Sequence, residues 1–115
     1  MELKLKGKWR CAGVLGDIFS VTGEDFIRKY EWTVNVEEAN RGTRAIPVSE
    51  WNRDMRMTGD QLVDLSKEDV QFIDAEFKAF QDSRRVFTLK SVDSTLWVVD
   101  SEDRGIIRFF RKKFP

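Results

Sequence analysis

At 115 residues, with 41% hydrophobic side chains, nine Phe, four Trp and only two Pro, the chain has the length and the large apolar groups for one packed core. It holds no histidine and a single cysteine, which together exclude histidine-based triads and dyads, HExxH zinc sites, internal disulfides and CxxC metal pairs. No stretch approaches the roughly 18 apolar residues of a membrane helix, and Met1-Glu2-Leu3-Lys4 carries no apolar leader, so one soluble domain over residues 1–115, in the cytoplasm, is the expectation.

Twenty basic and twenty acidic residues cancel, but unevenly along the chain. Residues 1–13 carry four cations and one acid, net +3, and residues 104–115 carry five cations and no acid, net +5. The stretch between them is left with eleven basic and nineteen acidic residues, net −8. The protein is neutral yet dipolar along its sequence.

Residues 3–11 alternate strictly. Leu3, Leu5, Gly7, Trp9 and Cys11 occupy the odd positions, and Lys4, Lys6, Lys8 and Arg10 the even ones, which is the period of a half-buried strand. Cys11, in an apolar-leaning setting, is expected as a buried thiol. Residues 13–17 supply a turn, 18–21 a short returning strand, and 26–36 a second alternation that places Phe26, Tyr30, Trp32, Val34 and Val36 on one face. Asn40-Arg41-Gly42 turns into residues 43–48, where Pro47 suits an edge strand, and residues 53–57 and 61–65 flank Thr58-Gly59-Asp60 as a further hairpin.

Residues 67–82 satisfy two periods. As a helix, Val70, Ile73, Phe77 and Phe80 fall three, four and three apart behind a Ser66/Asp69 cap; as a strand, Ile73, Ala75, Phe77 and Ala79 alternate with charged neighbours. Length, the cap and an acidic first turn favour the helix. Residues 86–91, 95–99 and 105–111 then form a three-stranded meander. The expected fold is α+β, mainly antiparallel hairpins and meander, with one amphipathic helix near residues 67–82. It closes into a small barrel if the first and last strands are neighbours.

The pointed functional feature is the cationic row Lys4, Lys6, Lys8 and Arg10, with a second set at Arg108, Arg111, Lys112 and Lys113 interleaved with Phe109, Phe110 and Phe114. Cations for phosphates and rings for bases are the means of single-stranded nucleic-acid binding, although a pI of 6.3 is far below the value above about 9 usual for such domains. Gly7-Lys8-Trp9 on the first strand, with Arg108 or Arg111 on the last, resembles the opening motif of lipocalin-type barrels, in which a G-x-W tryptophan packs near an arginine of the final strand. That resemblance implies a barrel with a cavity for a small apolar ligand. The helix lies mid-chain rather than after the barrel, and the chain is short for that family.

Glu37-Glu38 and residues 100–103 lack the ligand spacing of an EF-hand and suit solvated hairpin tips. Missing catalytic motifs, dipolar charge and abundant aromatics together favour a non-enzymatic protein-interaction module without a cofactor. Its partner is another protein or a second copy, a homodimer pairing basic ends with the acidic middle, and Trp51 is the expected interface anchor. No membrane partner is expected.

Overall fold

The two longest strands of the chain pair with each other. In a computed structural model, which describes residues 1–5, 14–41, 44–45, 54–68, 70–93 and 96–115, β2 (Glu31–Arg41) runs antiparallel to β5 (Val70–Gln81) along its whole length. β6 (Arg84–Val92), β7 (Leu96–Asp100) and β1 (Glu2–Lys4) follow outward from β5, while β3 (Arg44–Ala45) and β4 (Met55–Thr58) share the other edge of β2. Among the described residues the sheet therefore has two ends, β1 and β3/β4, and is open rather than closed into a barrel.

Cross-strand register shows what holds the sheet. Residues directly opposite each other share a face, so Met55, Val34, Phe77, Leu89, Val99 and Leu3 form one row across six strands. Met57, Trp32, Ala79 and Phe87 form the row on one side of it, and Val36, Ala75, Ser91 and Trp97 the row on the other. Trp32, Trp97, Phe77 and Phe87 are fully buried, each a burial of about 1.5–3 kcal/mol or more. The opposite face carries Arg56, Thr33, Lys78, Thr88, Asp100 and Glu2 in a polar row.

The helices of the described residues cover the apolar face. In α1 (Val14–Thr22), Leu15, Ile18, Phe19 and Thr22 are buried at helical spacing. α2 (Glu24–Arg28) buries Ile27, whose carbonyl accepts the Trp32 indole N–H at 3.1 Å. Leu62, Val63 and Ser66 are buried from α3 (Gly59–Ser66), and Ile107, Phe110 and Phe114 from α4 (Arg104–Lys113) and its C-cap. No helix among the described residues is long and apolar enough to cross a membrane.

Mainly antiparallel β with packed helices is the observed class, but several elements differ from expectation. Residues 70–81 form a strand, not a helix: register slips between Val36, Glu38 and Ala39 flip the parity of both partners. Val70 and Phe72 are therefore buried in one phase and Ala75, Phe77 and Ala79 in the other, and a broken period of two imitates helical spacing. The capping box lies earlier, at Thr58 and Gln61, whose side chains bond each other's backbone N–H at 3.1 and 2.9 Å. It starts α3 where residues 61–65 were expected as a returning strand.

Residues 18–21 and 105–111 are likewise helical, because Leu15/Ile18/Phe19/Thr22 and Ile107/Phe110/Phe114 are stripes of period 3.6. Phe26 lies in α2, so strand alternation begins only at Glu31. β6 and β7 stand where the meander placed them, with α4 replacing its third strand.

Two backbone sites give opposite expectations. A Cβ on Gly59 would lie 2.5 Å from the Arg28 carbonyl oxygen and 2.6 Å from its carbon, both rigid backbone. Gly59→Ala should cost about 1–3 kcal/mol in urea unfolding. The two-residue β5–β6 turn holds Asp82 and Ser83 at φ 53° and 63°, so Ser83→Gly should raise stability by about 0.5–1 kcal/mol in the same assay.

Candidate functional site

α4 begins at Asp103, whose carboxylate accepts the N–H groups of Gly105 at 2.8 Å and Ile106 at 3.4 Å. Ser101, fully buried, anchors that start: its hydroxyl donates to the Val86 carbonyl at 2.7 Å and accepts the Asp103 N–H at 3.0 Å. Residues 100–103 are thus the joint between β7 and α4, not the tip of a hairpin. With the start fixed and Ile107, Phe110 and Phe114 turned into the core, helical geometry aims Arg104, Arg108, Arg111 and Lys112 outward on one contiguous face.

The face is uniformly cationic. Residues 104–113 contain no acid, and none of Arg104, Arg108, Arg111, Lys112 or Lys113 forms an ion pair with a described residue. Beside it, the rings of Phe109 and Phe26 stack at 4.3 Å between centroids, both half-buried. Lys113 Nζ lies 5.8 Å over Phe109 and Lys29 Nζ 4.9 Å over Phe26, so each ring of the pair is flanked by a cation.

The two expected cationic rows do not join at their described ends. Lys4 is opposite Val98 on the polar face of the sheet, and Val98, though buried, is not part of the main core cluster. α4 contributes to that cluster, on the other face. Lys4 is therefore separated from Arg108, Arg111, Lys112 and Lys113 by the thickness of the sheet. Lys6, Lys8, Arg10, Trp9, Cys11 and Trp51 lie outside the described residues.

Arg104 and Lys29 belong to the surface and were not among the expected site residues. The spacing Arg104, Arg108, Lys112 is visible in the sequence, but it makes a stripe only once the segment is read as a helix.

Under this surface lies Tyr30, 4% exposed, with the Lys29 ammonium 5.3 Å from its ring. Burial raises its phenol above the ordinary value of about 10, and the Asp103 carboxylate raises it further. Tyr30 is the only tyrosine, so tyrosinate absorbance reports it alone.

A phenol with a raised folded pKa stabilises fully below its unfolded value near 10, and that contribution is lost as pH rises through the folded value. The midpoint should thus lie above about 10 in the folded protein. It should move down in Asp103→Asn, which keeps the cap but removes the charge, and Tyr30→Phe should remove this part of the alkaline loss of stability. None of the known families, curated proteins or solved structures compared with the chain matches it.

Proposed function

We propose that the chain is a non-enzymatic protein-interaction module that docks an acidic protein surface on the outer face of α4. The observation that carries this reading is a cationic stripe that helix stability does not account for at Arg104 and Arg108. The helix dipole favours cations only in the last turn, at Arg111, Lys112 and Lys113. Arg104 sits in the first turn, where the helix dipole disfavours a cation, and Arg108 is three or four residues from Arg104, Arg111 and Lys112. Each such like-charged pair costs about 0.2–0.5 kcal/mol in an isolated helix. An acidic partner removes that repulsion, and Phe109 at the margin supplies apolar contact beside the charges.

Nucleic acid fits the same charges less well. Phe26 and Phe109 cover one face of each other, which withdraws those faces from base stacking, and the open face of the sheet mixes Glu31, Glu76 and Asp100 with its lysines.

A poly-glutamate peptide and a poly-dT oligonucleotide of equal charge separate the two. The module should bind the peptide at low salt, weaken as salt rises, and lose about tenfold or more in affinity with Arg104, Arg108 and Lys112 changed together to Glu. Arg108→Gln alone should leave the unfolding free energy unchanged or raise it by about 0.5 kcal/mol. Tighter binding of poly-dT would replace this reading with the nucleic-acid one. Binding of neither probe, or reversible dimers that Arg108→Glu dissolves, would overturn docking on a foreign acidic protein.

A further inference from the structure

On the face of the sheet away from α4, a hollow of about 590 Å³ opens at the end nearest the β5–β6 turn. Glu31, Trp32 and Thr33 of β2, Arg56 of β4, and Phe80 and Gln81 of β5 line it, with Lys29 at the entry to β2 and Asp82 and Ser83 at its rim. Its size falls within the range of small-molecule sites, about 300–1,000 Å³.

The charges in the hollow do not close on one another. Lys29, Arg56, Glu31 and Asp82 are exposed and none forms an ion pair with a described residue; the Lys29 ammonium lies over the Phe26 and Tyr30 rings instead. Arg56 is opposite Thr33, and Glu31 is opposite Phe80, so the guanidinium and the carboxylate sit on diagonal neighbours whose backbones are about 7–8 Å apart. Thr33 lies between them and the half-exposed Phe80 ring beside Glu31.

Asp82 and Ser83 hold the left-handed conformation with no side-chain hydrogen bond among the described residues. Asp54 and Asp93, also at positive φ, are tied by Asn35 and Asp74. Polar side chains thus stand at the rim where glycine would suit the turn better.

We infer that this hollow binds a small zwitterion with an aromatic or large apolar side chain, of which a free amino acid is the simplest case. The ligand carboxylate takes the Arg56 guanidinium in a two-bond fork, its ammonium takes the Glu31 carboxylate, and its side chain rests on Phe80. Opposite charges on one ligand would satisfy two protein groups that lie within reach of each other yet form no ion pair in the structure.

Backbone amide shifts during titration with L-phenylalanine, N-acetyl-L-phenylalanine and L-phenylalanine amide test the inference. L-phenylalanine should shift Thr33, Phe80 and Ser83 with a Kd on the order of 1 mM. The acetylated and amidated forms, each lacking one charge, should bind roughly tenfold more weakly. Arg56→Gln should bring L-phenylalanine down to the level of the amide without weakening the amide further, and Glu31→Gln should bring it to the level of the acetylated form. Charge reversal on α4 should change none of these values, which keeps this site distinct from the docking face. Absence of shifts with L-phenylalanine, or equal shifts from all three compounds, would overturn the inference.

Discussion

The fold depends on how Trp32 is accommodated between its neighbours. Its ring is buried near the start of β2, opposite Ala79 on one side and Met57 on the other, with Phe87 next along the row at 5.5 Å between centroids, edge to face. Large, small and large side chains alternate across the strands, which lets two big rings interdigitate without a void. The row beyond Val34 and Phe77 repeats the device, with Ala75 and Ser91 between Val36 and Trp97. Trp32 also donates its indole N–H to Ile27, so the same residue fixes where α2 ends against the sheet.

From this one-sided core follows a segregation of surfaces. Each described helix is recruited to the face that holds Trp32, and the other face, where Thr88 and Val98 are buried, carries mostly polar side chains that alternate in charge, such as Glu76 with Lys90 at 4.0 Å. Exposed pairs of that kind contribute little to stability, at most about 1 kcal/mol. The open face is consequently free to be polar, and the helical layer presents its own exterior on the opposite side. The hollow at Arg56 and the stripe on α4 therefore lie largely on opposite sides of the sheet, with Lys29 at the end of the sheet bordering both.

Legibility in the sequence followed the strength of local periodicity. β6, β7 and the first residues of β1 stand where alternation placed them, because Phe87/Leu89/Ser91 and Leu3/Leu5 alternate without interruption. β5 was obscured by the second of two slips: after Glu38 pairs with Asp74, the shift to Ala39 opposite Phe72 leaves Ile73 extra and keeps both Phe72 and Ala75 in the core, and no single period describes both halves. The Ser91 hydroxyl donates to the Phe72 carbonyl at 2.7 Å beyond the last β5–β6 pair, a long-range contact that nothing local announces. α4 was obscured differently. Ile106-Ile107 and Phe109-Phe110 are doubled apolar positions that suit either period, and the deciding signal was the Asp103 cap, hidden within an acidic run that suited a hairpin tip.

That cap links the proposed docking face to the interior. Asp103 satisfies the first N–H groups of α4, and its own N–H is held by Ser101, which is bonded in turn to β6. The azimuth of the helix is therefore set from the sheet, and the outward direction of Arg104, Arg108 and Lys112 follows from it as surely as the inward direction of Ile107 and Phe110. The same carboxylate raises the pKa of the buried Tyr30 phenol, so the cap couples electrostatically to the aromatic cluster on which Phe26 and Phe109 rest. An acidic partner arriving at Arg104 would approach the helix end that already carries a carboxylate, and repulsion from Asp103 would weaken its hold there. Toward Arg111, Lys112 and Lys113 no acid of α4 intervenes, but there the negative end of the helix dipole holds the cations in place and subtracts from the field they present, so neither end of the face is favoured by charge alone.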